Sequence, residues 1–409
     1  MDFTPNPRVV ALCDQLEAFI ATVVEPAESV YAAEMRTLED PHAPPPILET
    51  LKTEARERGL WNLFFRDSQY GPGLSVTEYA PLAECMGMSR LAPEVTNCSA
   101  PDTGNMEVLA EFGTPEQRDQ WLTPLLHGEI RSCFAMSEPW VASSDATNIE
   151  SRIERDGDEY VVRAHKWWTS GAASSRCRVA LVLGITDPDA DRHARHSIVL
   201  VPMDLPGVRV VRTLPVFGFD EGGGHAEVLF EEVRVPISAR IGAEGAGFAI
   251  AQSRLGPGRV HHCMRAIGLA EKALRLMTQR AATRVAFGKP LAAQGVIQDW
   301  IAESRIAIDQ ARLLVLSTAW KIDTADARAA RTEIAAIKVA AARVANEVID
   351  RAIQVFGGAG LSNDWPLAEM YAHARALRIV DGPDEVHKAL IARAELAAQS
   401  YEATATTSK

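Results

Sequence analysis

Ile379-Val380-Asp381-Gly382-Pro383-Asp384-Glu385 ends one helical pattern and opens another. Asp-Gly and Gly-Pro are strong breakers. Pro383 followed by Asp384 and Glu385 suits a first helical turn running on through Ala389 and Leu390. Read alone, the stretch is a turn. Upstream of it, from about residue 246, the period is helical throughout. Ile297, Ile301, Ser304, Ile308, Ala311 and Val315 form one apolar stripe, and Ile334, Ile337, Ala341, Val344, Val348 and Val355 form another. Long alanine-rich amphipathic helices of this kind predict an antiparallel bundle over 246–409.

The period is different between about 131 and 245. Tyr160-Val161-Val162, 179–185, 197–201, 208–211 and 226–230 are short β-rich runs, punctuated by Asp156-Gly157 and Asp187-Pro188-Asp189. Regular short strands with turn signals predict a β-barrel or sandwich rather than a βαβ sheet. No GxGxxG follows a strand, which removes the usual dinucleotide fingerprint. Residues 1–130 read as helical again: Val9, Leu12, Leu16 and Ile20 share a face, and Thr114 before Pro115 suits an N-cap. The expected fold class is α+β multidomain, with helical domain 1–130, β domain 131–245 and helical bundle 246–409.

Composition narrows the function. At 47% hydrophobic and 23% charged residues, the 409-residue chain is that of a folded protein with more than one core. A net charge of −12 argues against a nucleic-acid surface or docking to anionic lipid. Six scattered cysteines without CxxC spacing argue against a disulfide framework or structural zinc. His261-His262 and the His193/His196 pair lack partners with ligand spacing, so no metal is expected. No apolar span is long enough to cross a bilayer. Acidic residues near the N-terminus speak against a transit peptide. Arginine far outnumbers lysine, which fits a GC-rich bacterial genome, and the cytoplasm is the expected compartment.

Four segments draw attention, each with an ordinary structural reading beside the chemical one. Phe134-Ala135-Met136-Ser137-Glu138-Pro139, followed by Ser143-Ser144-Asp145, is a strand running into a proline turn, with hydroxyls and N–H groups that suit the edge of a polar heterocycle. His165-Lys166-Trp167-Trp168-Thr169-Ser170 places two tryptophans on a β-run, where core packing is the plain expectation. Arg284-Val285-Ala286-Phe287-Gly288-Lys289 looks like a helix end, where a cation complements the dipole. Gln354-Val355-Phe356-Gly357-Gly358-Ala359-Gly360 is a glycine-rich C-cap whose three glycines suggest a close approach.

Taken in order with the Asp381 turn, these segments resemble the acyl-CoA dehydrogenase family. The resemblance extends to 112–117, 121–126 and Val233-Arg234-Val235-Pro236, nearly the whole chain. It implies FAD as cofactor and an acyl-CoA thioester as substrate. Asp381 would be the base that removes the α-proton, where most members keep a glutamate. The β-hydrogen would leave as hydride to flavin N5, giving a 2-enoyl-CoA. Phe134, Met136, Ser137, Ser143 and Ser144 would line the flavin, with Ser144 also near the CoA ligand. Trp167 and Trp168 compete for the aromatic position, Trp168 being favoured, and Thr169 and Ser170 share the polar one. Arg284 and Phe287 would reach the FAD of a neighbouring subunit. Gln294 would replace a family glutamine whose place Gly295 occupies. Gln354, Gly357, Gly358, Pro383 and Glu385 would touch the same cofactor, and Arg259 would support the acyl site. A homodimer or homotetramer and an electron-transfer flavoprotein as acceptor are implied. The aspartate, with residues 100–107, resembles a branch that in animals is fused to a phosphotransferase-like kinase domain. Two alternatives stay open: flavin-assisted elimination on a 4-substituted acyl-CoA, suggested by the kinase-fused relatives, and oxidation of the nitroalkane oxidase kind, since nitroalkane oxidases of the superfamily also use an aspartate base.

Overall fold

The computed structural model describes residues 3–220 and 223–407; the side chains of Pro257 and of 399–407 lie outside that description. The period changes read from the sequence mark real transitions. Helices dominate up to Leu126, strands begin at Arg131, and helices return with the 37-residue helix Gly247–Thr283. By their contacts the residues form two compact units. One comprises the chain to Ile20, Leu74–Ala92 and everything from Arg259; the other comprises Ala21–Gly73 and Pro93–Gly258.

In the second unit, eight strands share one mixed sheet: β1 (Arg131–Ala135), β2 (Arg152–Asp156), β3 (Glu159–Ser170), β4 (Cys177–Ile185), β5 (His196–Pro202), β6 (Val208–Thr213), β7 (His225–Pro236) and β8 (Arg240–Ile241). The hydrogen-bonded order is β6-β7-β3-β2-β4-β5-β8, with β1 parallel to β4. β4 and β5 are buried nearly end to end, as their unbroken apolar runs require. β6 is an edge strand, mostly exposed, and carries Arg209 and Arg212, which discourage further pairing. Gly157, at φ +63°, lets β2 turn directly into β3. The sheet's core gathers Cys133, Ile153, Tyr160, Val182, Val199 and Phe230.

The first unit is helical. Helices Gly295–Thr324 and Arg331–Phe356 bury the two stripes read from the sequence, except that Ile301 and Val344 are only half-buried. Helix Val76–Gly87 crosses the long Gly247–Thr283 helix with backbones in contact. A Cβ on Gly268 would strike the carbonyl of Glu84, and one on Gly87 the carbonyl of Arg265. Arg312 forks onto Glu84 and Glu271, tying three helices together. The Asp323 carboxylate accepts from the N–H groups of Val76 and Thr77 at 2.9 and 2.8 Å, closing that helix start. These contacts fix the register of the stretch carrying Arg259, His262 and Arg265.

Candidate active site

In the second unit β1 delivers the chain into Met136-Ser137-Glu138-Pro139. Phe134 lies in β1 opposite Leu181, with the Arg254 guanidinium 4.3 Å above its ring. Glu138 is buried and accepts from Glu150 N (2.8 Å), Ser151 N (3.0 Å) and the Ser151 hydroxyl. Its charge is met by Lys166 Nζ at 2.8 Å, which also donates to the carbonyls of Met136 (3.0 Å) and Leu183 (2.8 Å). Burial pushes the Lys166 ammonium down to about 8, against the pull of Glu138. The Ser-Glu-Pro segment is thus bolted to the sheet through its glutamate. The Ser143 hydroxyl accepts from Glu138 N at 2.8 Å and closes the loop, while Ser144 is exposed. Trp140, just after Pro139, is 82% exposed.

The tryptophan pair sits at a β-bulge. Lys166 pairs with Val228 but Thr169 with Ala226, one residue out of step, and Trp168 takes φ +51°. The kink turns Trp168 out to solvent, while the Trp167 N–H donates to the carbonyl of Ser137 at 3.0 Å. Ser170 shares a hydrogen bond with His225 Nδ1 at 2.8 Å. The Thr169 hydroxyl is buried with no hydrogen-bond partner. An orphaned hydroxyl next to an out-turned indole and a braced polar loop is a set of groups that a planar heterocycle with a polar edge would satisfy.

Asp381 lies in the first unit, and its backbone is unusual. It has φ +54° and Gly382 has φ +101°, a left-handed pair that aspartate tolerates better than most residues. Arg259 Nε donates to the Asp381 carbonyl at 2.9 Å and holds the turn. His387, one turn into the Asp384–Thr407 helix, backs the peptide: a Cβ on Gly382 would come within 3.0 Å of its Nε2. Asp384 is buried against Arg378 Nε at 2.8 Å. The Asp381 side chain is 20% exposed, and its Oδ2 lies 3.5 Å from His262 Nε2. Lys338 donates to the carbonyl of Leu377. Burial lowers Lys338, while Cys263, Asp381 and Asp384 draw it back up. Burial also takes His261 and His262 down to about 3 and His387 to about 4, so all three imidazoles are neutral near pH 7.

The remaining expected residues are on the surface of their unit. Phe287, 99% exposed at φ +52°, tips a two-stranded hairpin (Val285–Ala286 and Lys289–Pro290), and Arg284 is exposed at its base. Gln294 precedes helix Gly295–Thr324. Gln354, Gly357 and Gly358 are exposed at the end of helix Arg331–Phe356, where Gly357 (φ +63°) breaks it. Among the described residues no atom would meet a Cβ at Gly357 or Gly358; the glycine that is crowded is Gly360, against Ile353 and Phe356. Pro383 is half-buried and Glu385 exposed. Reading the sequence did not single out Lys166, Lys338 or His387. His262 drew attention only as a possible metal ligand, and among the described residues no cluster could hold a metal ion. Its spacing from Arg259, three residues along one helix face, was the available signal.

Residues 9–129, 133–233 and 245–396 match the family models of the acyl-CoA dehydrogenase N-terminal, middle and C-terminal domains. The chain belongs to the acyl-CoA dehydrogenase family, FAD-dependent oxidoreductases that act on the CH–CH group of acyl-CoA. It is 56% identical over 399 residues to the probable acyl-CoA dehydrogenase FadE2 of Mycobacterium tuberculosis, covering 97% of each. It is 54% identical over 397 residues to acyl-CoA dehydrogenase family member 11 of Gallus gallus, covering 96% of this chain but 51% of that protein. It therefore spans about half the length of that animal relative. A solved structure from Mycobacterium abscessus assigned to the acyl-CoA dehydrogenases superposes with a TM-score of 0.94 at 52% identity, covering 97% of this chain and 100% of that one. Among the described residues no helix is long and apolar enough to cross a membrane.

Proposed function

We propose that this chain oxidises an acyl-CoA to the 2-enoyl-CoA with Asp381 as the base that removes the α-proton. The observation that carries the reading is the Asp381 turn: a partly exposed carboxylate on a left-handed residue, held by Arg259 and flanked by Lys338. A positive φ for a side chain other than glycine persists only where its surroundings over-determine it, which is typical of residues that must point one way. Arg259 acts through the backbone, fixing where the carboxylate starts. Aspartate is one methylene shorter than glutamate, so the carboxylate ends about 1.5 Å nearer its own backbone. A substrate must therefore sit correspondingly deeper, which favours branched or substituted acyl groups.

FAD when bound supplies the acceptor for the β-hydride. The chain's own groups suited to hold it are the Ser137 and Ser143 loop, the Trp168 face and the Thr169 hydroxyl, with Phe134, Met136, Ser144 and Ser170 beside them. Exposed Arg284 and Phe287 on one hairpin suit contact with the cofactor of a second subunit, supported by Gln294, Gln354, Gly357, Gly358, Pro383 and Glu385. On the family resemblance we take the assembly to be a homodimer or homotetramer, with an electron-transfer flavoprotein as acceptor and a bacterial cytoplasm as setting. The test is anaerobic bleaching of the flavin band by short, medium, long and 4-substituted acyl-CoAs, with D381N and D381E. Loss of the base should cost about 10²–10⁴ in rate. A D381N enzyme that keeps most of its bleaching rate would refute the assignment. A flavin that no thioester bleaches would favour elimination or nitroalkane chemistry.

A further inference from the structure

Beside Asp381 the structure places a second side chain whose orientation is determined. His262 Nδ1 lies 3.3 Å from Arg265 Nη2, one turn along the same helix. A guanidinium only donates, so Nδ1 must be the accepting nitrogen. Burial, then Arg265, keep the imidazole neutral, overriding the opposite pull of Asp381, with Lys338 and His373 adding to the depression. A neutral ring whose Nδ1 accepts carries its hydrogen on Nε2. That Nε2 is the atom 3.5 Å from Asp381 Oδ2. The distance is slightly long for a hydrogen bond, as catalytic contacts often are before substrate closes the site.

We propose that His262 is a positioning residue for Asp381: Arg265 fixes the tautomer, and the Nε2–H of His262 is directed at Oδ2. The inference rests on Asp381 being the base, as proposed above. A carboxylate on a short side chain turns about its last bond, and Arg259 fixes the backbone it turns from. A donor directed at one oxygen restricts that turn. The charged and titratable groups around the pair are Arg259, Arg265 and Cys263 on the long helix, Lys338 on helix Arg331–Phe356, His373 on helix Leu367–Ala376, and His387 with Asp384 beyond the turn. His262 is itself neutral, so its role is hydrogen bonding rather than charge.

The experiment is the pH dependence of kcat and kcat/KM for the FAD-loaded enzyme on its best acyl-CoA, with H262L, H262Q, R265M and D381N beside wild type. H262L removes the donor, whereas the glutamine amide in H262Q restores one near the position of Nε2. H262L should lower kcat/KM about tenfold, the worth of one hydrogen bond, mostly in kcat. Its acidic limb should move up by roughly half to one pH unit, because a donor that favours the ionised carboxylate is gone. H262Q should recover most of the rate and return the limb, and R265M should fall between. Equal losses in H262L and H262Q, or an H262L limb that stays at the wild-type pH, would overturn the relay while an inactive D381N left the base assignment standing. Undiminished turnover in D381N would overturn both.

Discussion

Replacing Lys166 with methionine tests whether the Ser-Glu-Pro loop depends on its buried ion pair. The ammonium has no exposed surface and three acceptors: Glu138 Oε1 and the carbonyls of Met136 and Leu183. Removing it leaves the Glu138 carboxylate buried with its three remaining donors, from Glu150 and Ser151. Stranding one member of a buried pair costs about 3–5 kcal/mol. Because three donors stay, K166M should sit at the low end, about 3 kcal/mol. In a unit of roughly 220 residues that lowers Tm by about 6–12 °C. The loop it frees carries Ser137 and Ser143, so the flavin-to-protein absorbance ratio after gel filtration should fall as well. Replacing both partners, as E138L with K166M, should recover part of the lost stability, because no lone charge remains. Thermal melts of the four proteins in the cycle decide the matter. A single variant within about 1 kcal/mol of wild type, or a double variant no better than the single, would refute the bracing role.

Gly382→Ala should destabilise and inactivate together, since φ +101° and the His387 ring 3.0 Å from a Cβ both oppose it; Tm and bleaching rate check this. Thr169→Val should leave the cofactor-free protein as stable or more so, by removing an orphaned hydroxyl, yet weaken FAD retention. Ser170→Ala should instead lower stability by breaking its bond to His225, and equilibrium dialysis of flavin beside thermal melts separates the two. Stability should fall on acidification. The folded imidazoles of His261, His262 and His387 take protons only near pH 3–4, whereas unfolded histidine does so near pH 6.5. The unfolded chain thus binds more protons through that window, and urea melts between pH 7 and 4 should show the decline.

Much of the architecture was legible from local chemistry. β4 and β5 announce themselves because strands buried on both faces must be continuously apolar. Thr114 is the N-cap expected before Pro115, and the structure adds Gln117 to make it a capping box. β2 escaped notice because Ile153 is its only buried residue and the other four are charged, so its pattern is that of a loop. The Trp168 bulge was equally hidden, since a one-residue slip in register is set by the partner strand and leaves no mark on the strand that bulges.

The sequence by itself determined where carboxylate, hydroxyls, tryptophans and glycines lie along the chain, and which stretches are helix or strand. Periodicity and turn propensity are properties of neighbours a few residues apart, so they survive in one dimension. The tertiary structure alone decided what each of those groups faces. Asp381 is held by an arginine 122 residues away, and Glu138 of the loop motif is braced to Lys166. The same holds for the two hydroxyls of Thr169 and Ser170, adjacent in sequence, of which one is paired with His225 and the other buried alone. Such pairings depend on which elements meet at a given depth from water, and no local pattern records that.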